Sequence, residues 1–386
     1  MQPLYARRRN LTSLRRVFSA PRRPVATCHR GPDVTCLQGA NAHHVRGHLV
    51  ASALAGSWRG EPPATLHPDA LAEVAEILVQ SGAAPLVWWR LRHAHVPTSS
   101  SLAQLRDAYY WHSVESRLHE RDIRAAIAAL ASAGIEPLLA KGWAVARLYP
   151  APGLRPYSDV DLCVRPADKV SAEAALASVA PGITPVDLHT RIVDMPDRSF
   201  DALRERSSIE SLGDIPVRIL GIEDHLRFLC LHLLRHGARR PLWLCDVGVV
   251  LDGLPNDFDW RRFLSGESRR TAWAVGVLVL ANRLLGAPLD AAPPVVRHAA
   301  VPDWLVSTIV CQWGEDFRPT STRLMGAALS RLDWFLLGLR ERWPNPIEAT
   351  YGLDGYLTTR VRLRYQIQAY AERSISFAAG RPHGAH

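Results

Sequence analysis

Apolar residues recur with two different periods along this chain, and the change of period divides it. His67 to Gln80 and Ser101 to Ser132 repeat them at helical spacing, the second with Leu102, Leu105, Leu118, Ile123 and Ile127 among many charges, and Gly134 stops it. Pro137 to Ala140 is then a short apolar run broken by Lys141-Gly142, after which Trp143 to Tyr149 returns to helical spacing: strand, glycine turn, helix. The run from Asp159 to Val164 alternates as a strand, Pro166 to Ala180 is helix-like, and Thr184 to His189 reads as a second short strand. Ile222 to His236 and Pro241 to Asp252 begin a helical lobe that continues through Trp260, Trp273, Trp304, Trp334 and a charged helix around Arg360 to Arg373. The expected class is α+β, mainly helical, with a small sheet backed by helices. The pattern divides the chain into an Arg-rich tail over 1–60, helices over 61–135, a core over 136–220 and a helical lobe over 221–386. No repeat of fixed period appears.

The chemistry concentrates in the core. Alternate side chains of a strand leave on one face, so Asp159 and Asp161 project together while Val160, Leu162 and Val164 serve the interior. Two adjacent carboxylates repel; such a pair raises a pKa or recruits a divalent cation, and an oxygen-only pair suits magnesium or manganese. Asp187 and His189 share one face of the next strand, and beside the first strand Asp187 would complete a trio of the kind that clamps the attacking and leaving oxygens of a phosphoryl transfer. The alternative is that these acids are solvated charges at strand edges. A glycine turn lets backbone approach a phosphate, a helix start supplies free N–H groups, and a lysine there adds a point charge. Lys141 is one of only two lysines, with Lys169, in a chain of 46 basic residues, so the drift toward arginine was not followed at the turn. Arg155 could reach a polyphosphate or simply neutralise the acids. His189 could orient an acceptor, bond a phosphate oxygen, or pack at the strand end.

Charge is unevenly placed. Residues 1–60 hold ten arginines and one acid, Asp33, so the tail carries the whole net charge of +9 and the remainder sums to zero. A neutral body argues against a broad footprint for long nucleic acid. The tail, with Arg7-Arg8-Arg9, Arg15-Arg16 and Arg22-Arg23, lacks the apolar pattern to fold alone and is expected to be disordered. It reads as a transit peptide, a nucleic-acid-binding arm, or the over-long start of a bacterial reading frame, which the Arg-heavy usage favours. No stretch reads as a membrane span: Thr271 to Leu285 is too short and carries Arg283. Cys28, Cys36, Cys163, Cys230, Cys245 and Cys311 show no zinc spacing and are expected to be free thiols in a reducing, cytoplasmic compartment, Cys163 packing on the core side of its strand.

Lys141-Gly142, Leu148-Tyr149-Pro150, Gly153-Leu154-Arg155-Pro156, Asp159-Val160-Asp161-Leu162 and Asp187-Leu188-His189 together resemble a bacterial nucleotidyltransferase family of unassigned substrate within the DNA polymerase β-like superfamily. Many superfamily members carry Gly-Ser at the turn, whereas the Lys-Gly form is that of this family and of nucleotidyltransferase-type toxins. Similarity continues through Glu223-Asp224-His225-Leu226, Leu231-His232-Leu233 and His236-Gly237 to Asp246-Val247. The resemblance implies a small mixed sheet as catalytic core, with Asp159, Asp161 and Asp187 ligating Mg2+ or Mn2+ and Asp187 nearest the attacking hydroxyl. An NTP such as ATP would be the donor, with Lys141, Gly142, Arg155 and His189 as candidate nucleotide-binding residues. The expected reaction moves an NMP to an acceptor hydroxyl on a small molecule or protein, with tRNA or nonenzymatic nucleic-acid binding by the arm as alternatives. His232 and His236, one helical turn apart, lack the glutamate of a zinc protease; they are a structural pair between helices or, with Asp246, line the cleft facing the strands.

Overall fold

Among the described residues, five short strands of two to five residues each form one mixed sheet, and the rest is mainly helical. The computed structural model describes residues 34–60, 68–94, 99–179, 182, 184–316 and 343–378. Helices α1 (Val34–Leu54), α2 (Pro68–Ser81), α3 (Ala84–Leu91) and α4 (Ser100–Ser132) precede the sheet. The core then runs β1 (Leu138–Leu139), α5 (Trp143–Ala146), β2 (Val160–Cys163), α6 (Lys169–Ala177), β3 (Val186–His189), α7 (Phe200–Glu205), β4 (Ser208–Leu212) and β5 (Ile215–Ile219). The lobe contains α8 (Ile222–Arg235), α9 (Pro241–Asp252), α10 (Trp260–Leu264), α11 (Ser268–Leu285), α12 (Pro294–Arg297), α13 (Asp303–Trp313), α14 (Pro346–Gly352) and α15 (Leu363–Ala378).

Strand order is β3-β2-β1-β5-β4. β2 runs antiparallel to β1 and parallel to β3, β1 runs parallel to β5, and β4-β5 is a hairpin closed by Gly213-Asp214 with Gly213 at φ 65°. The two-residue side-chain period splits the sheet between two cores. Leu139, Val160, Leu162, Val164, Val217 and Ile219 pack on Ile123, Ala126, Ile127 and Leu130 of α4 and Ala172 of α6. Leu138, Ala140, Cys163 and Leu220 belong instead to the larger core shared with α2, α3, α8, α9, α11 and α13. Cys163 therefore keeps its packing role, but on the face of Asp161 rather than that of Val160 and Leu162; burial pushes its thiol up to about 12.

The 33-residue helix α4 begins where Ser99 Oγ accepts from Leu102 N at 3.2 Å and ends before Gly134, whose φ of 73° suits glycine. It also fixes the approach to β3. Asp122, buried on its inner face, accepts from both Thr184 N and Thr184 Oγ1 at 3.1 Å. Helix α5 is shorter than the expected Trp143–Tyr149: after Ala146 the chain continues in turns closed by i→i+3 bonds, Leu148 N to Val145 O at 2.9 Å and Tyr149 N to Ala146 O at 3.2 Å. Of the lobe's tryptophans, Trp273 and Trp313 are fully buried, their Nε1 atoms donating to Gly355 O and Ala238 O at 2.9 Å, and Trp260 and Trp304 are partly buried against the same core. Trp334 lies outside the described residues.

The expectation of a disordered tail over 1–60 is corrected for its second half. Residues 34–60 form α1 and a 3-10 turn at Ser57–Arg59, with Val50, Ala53, Leu54 and Trp58 buried. Trp58 Nε1 donates to Asp252, and Arg59 donates to both oxygens of that carboxylate at 2.7 and 2.8 Å. Composition averaged over sixty residues hid an apolar segment behind the arginines that precede it. Residues 1–33, with the three readings of the tail, lie outside the described residues. From Ala40 onward the chain forms one compact unit that includes both the 136–220 core and the lobe. Among the described residues no helix is long and apolar enough to cross a membrane, and Cys163, Cys230, Cys245 and Cys311 are free.

Candidate active site

The in-register pairing of β2 with β3 sets Asp161 opposite Asp187 and Cys163 opposite His189. Alternation puts all four on one face, at the edge of the sheet, so Asp187 is exposed while Asp161, one strand further in, is buried. One ligand atom each from Asp161, Asp187 and His189 lies within 4.8 Å of the other two. Asp161 Oδ1 is 3.0 Å from His189 Nε2, and Asp161 Oδ2 is 2.9 Å from Lys141 Nζ. Burial alone would raise the Asp161 pKa, but the His189 bond and the Lys141 charge outweigh it and hold the carboxyl below its usual range.

Lys141 reaches Asp161 because of the turn that carries it. Gly142 has φ 60° and ψ −114°, and a Cβ there would come within 3.2 Å of the Tyr157 ring and 3.3 Å of Asp159 O. The positive φ and the close approach both select glycine. The turn is thereby pressed against the segment entering β2. The four-residue α5 adds little helix behind it, so Lys141 and the turn, rather than a long helix start, carry the anion-binding expectation.

Asp159, just before β2 and half-buried, is not in the group formed by Asp161, Asp187 and His189. Its charge is felt instead by His119 on α4, by Arg155 and by Arg240. Burial pushes the His119 imidazole down against the opposing pull of Glu115, Asp122 and Asp159, and its ring packs 4.9 Å from that of Tyr157. Arg155 is not brought to the group either. Its guanidinium is buried against Asp246 of α9, Nη2 to Oδ2 at 2.8 Å and Nε to both oxygens at 3.2 Å, while Tyr149 Oη donates to Asp246 Oδ1 at 2.8 Å. Burial acts to lower the Arg155 pKa, and the Asp246 charge reverses that and raises it. Of the two roles open to Arg155, the geometry gives it neutralisation of an acid, and the acid is Asp246. Asp246 itself is interior and lines no open surface.

The histidine pair stands at the C-terminal end of α8. His232 Nδ1 is 3.1 Å from Asp194 Oδ2, Asp194 being buried in the loop after β3, and the His232 and His236 rings lie 4.5 Å apart with Trp243 4.9 and 5.2 Å from them. Desolvation pushes His236 down to about 4, although its surface is exposed; the charges of His232, Arg235 and Lys141 add to this and Asp194 opposes it. Asp194 and Arg240 carried no signal in the sequence, since each sits in a loop whose path periodicity does not specify. A cavity of about 390 Å³ bounded by Arg239, Gln312, Glu315, Trp343, Asn345 and Gln366 contains none of these carboxylates, so chemistry rather than hollowness locates the site.

Two carboxylates and an imidazole form a group that could hold a metal ion. Asp161 Oδ2 is fully enclosed yet accepts no well-formed hydrogen bond, its contact with Lys141 being ionic, and Asp187 and His189 present ligand atoms beside it. A small mixed sheet that offers carboxylates beside a Lys-Gly turn, with helices behind and a helical lobe in front, defines a nucleotidyl-transferring class of enzyme. The chain belongs to the family described as uncharacterised nucleotidyltransferase, whose model matches residues 67–180 and 179–286, more than half its length. No curated protein and no solved structure matches it significantly.

Proposed function

We propose that the protein is a metal-dependent enzyme that moves a nucleoside monophosphate from an NTP to an acceptor hydroxyl, with release of pyrophosphate. The observation that carries this reading is the convergence of Asp161, Asp187 and His189 beside Lys141 on one sheet face. Asp161 and Asp187, with Asp159 one alternate position along the strand, would hold Mg2+ or Mn2+. Bound there, the ions would neutralise phosphate charge and polarise the attacking and leaving oxygens.

The chain's own groups do the positioning. The Gly142 turn allows backbone to approach the nucleotide, and Lys141 shifts its charge from Asp161 toward the phosphates as they arrive. His189 fixes the rotamer of Asp161 through their 3.0 Å bond. Exposed Asp187 is placed to take the proton of the acceptor hydroxyl as that oxygen attacks the α-phosphorus. The bond from that phosphorus to the pyrophosphate oxygen then breaks and the electron pair leaves with pyrophosphate. A small-molecule or protein hydroxyl is the favoured acceptor, because residues 61–386 carry no net charge with which to follow a long nucleic acid. Incubation with each α-labelled NTP, Mg2+ and a cell extract should label a small molecule or a protein and release pyrophosphate, and EDTA should stop it. Labelled tRNA in its place would redirect the acceptor, and no labelling or pyrophosphate with any NTP would refute the transferase.

A further inference from the structure

Tyr157 fills the space behind the turn that carries Lys141. Its ring is buried and takes the place that a side chain at residue 142 would need, 3.2 Å from a Cβ built there. The same ring meets helix α4, 4.9 Å from the buried imidazole of His119. Turn, ring and helix thus form one continuous line of contact. The segment that brings Tyr157 there is itself fastened to α4. Gly153, at φ 82°, lies so close to Ser113 that a Cβ would come within 2.4 Å of its backbone nitrogen, and Ser113 Oγ donates to Pro152 O at 3.2 Å. His119 stands six positions beyond Ser113, about 9 Å along a helix. The loop therefore runs along α4 between two fixed points, and Arg155 between them is held by Asp246 of α9.

Lys141 Nζ reaches Asp161 Oδ2 across 2.9 Å on a side chain that is partly exposed, so its place depends on where the backbone turn sits more than on packing around the ammonium. Helix α5, with four residues, is too short to fix the turn by itself. We infer that Tyr157 is a positioning residue for the reaction: its ring, backed by His119, wedges the Gly142 turn against the start of β2 and so sets the reach of Lys141 toward Asp161 and the phosphates. The inference deepens the proposed transferase reading, on which its catalytic consequence rests. The ring does this and the hydroxyl does not, since Tyr157 Oη is enclosed and makes no well-formed hydrogen bond. Phenylalanine at 157 preserves the wedge, and leucine removes it.

The presence of only two lysines makes the test direct. Brief acetylation of the full chain, read by mass spectrometry, gives the reactivity of Lys141 against that of Lys169, an internal reference whose exposed side chain lies on α6. Tyr157→Leu should raise the Lys141-to-Lys169 ratio roughly fivefold or more as the ammonium leaves its partner, and Tyr157→Phe should leave it unchanged. His119→Ala keeps the ring and removes its backing, and should raise the ratio by a smaller factor. Val217→Ala truncates a buried residue of the same core on β5, at the end of β1 away from the turn; it should lower the melting temperature without moving the ratio, which separates positioning from general loosening. Label transfer at saturating NTP should follow the ratio, falling about tenfold or more in Tyr157→Leu, the scale of a small misplacement of a charged group. A ratio that is the same in wild type, Tyr157→Leu and His119→Ala, or that Val217→Ala raises as much, overturns the wedge. No transfer by wild type with any NTP refutes the transferase reading, while the labelling ratio still decides the wedge.

Discussion

Asp161 and Asp246 are both buried carboxylates paired with a cation, and they differ in what remains open around them. Asp246 is 1 % exposed and Arg155 8 %; Arg155 and Tyr149 together satisfy both oxygens. Asp161 is nearly as buried, at 5 %, but its partners are not: the side chains of Lys141 and His189 are 25 % and 42 % exposed, and Oδ2 has an ionic contact without a formed hydrogen bond. A planar, bidentate arginine closes a carboxylate off, while a lysine ammonium on a flexible stem holds it ionised and can yield its place. Burial alone does not distinguish a staple between core and lobe from a site; exchangeable partners do.

The contrast predicts opposite outcomes for the same Asp-to-Asn change. Asp161→Asn should reduce nucleotidyl transfer by about a thousandfold or more, the scale of removing a group that organises charge in the transition state, and leave the melting temperature near that of wild type. Asp187→Asn and Asp159→Asn should behave alike. Label transfer from NTP alongside a thermal melt checks both halves, and near-normal transfer by the Asp161 variant with Mg2+ as the sole cation would falsify the site.

Asp246→Asn should do its damage to the fold. It leaves the buried Arg155 charge uncompensated, which costs about 3–5 kcal/mol when one partner of an enclosed pair is removed, and the urea midpoint should fall accordingly. An Asp246 variant as stable as wild type would erase the distinction drawn between the two carboxylates.

That distinction was only half legible in the sequence. The strand alternation that puts Asp187 and His189 on one face is a property of local spacing, as is the glycine turn, so both could be read before the strands were known to be neighbours, whereas Asp159, one residue before β2, is left out of the group. The boundaries of α4, α8 and α9 were likewise within a residue or so, because strong periodicity and Pro or Gly punctuation fix them. Arg155 shows the limit. Four residues before Asp159 it looked available to a phosphate, and only the packing of α9, some ninety residues on, reveals the acid that takes it. Asp194 reaching His232 is a contact between a loop and a distant helix, for which a one-dimensional pattern has no period. The apolar turns of α1 failed to register because the arginines before them dominated the composition.

Acidification should distinguish the two regions next. His225, fully enclosed on α8 with Nε2 unpartnered, is pushed by burial down to about 3, with the charges of Arg147 and Arg155 acting the same way. Its folded pKa lies below the ordinary value near 6.5, so between those limits the unfolded chain binds more protons and the folded state loses stability as pH falls. At pH 5 the loss from this one group is about 2 kcal/mol. Asp161 and Asp194, held below their ordinary value of 3.8, contribute stability that is still intact at pH 5 and is lost only as pH falls below that value. Melting temperatures at pH 7.5 and 5 should therefore diverge in wild type and converge in His225→Leu. An equal acid sensitivity in both proteins would remove His225 as the cause.

The smallest effect belongs to the second lysine. Lys169 begins α6 with its side chain 49 % exposed, and its one ion pair, to Glu173 at 3.7 Å, is with an equally exposed carboxylate. Solvent screening leaves such a pair worth no more than about 0.5 kcal/mol, so Lys169→Ala should shift the urea midpoint barely beyond error and change label transfer by less than about twofold. Lys141→Ala, by contrast, removes the charge that faces Asp161 Oδ2 across 2.9 Å and should cost transfer about a hundredfold. Rarity of lysine drew attention to both residues, but only position separates them. If the two alanine variants lose transfer to the same degree, the turn at Gly142 has no special claim on the reaction.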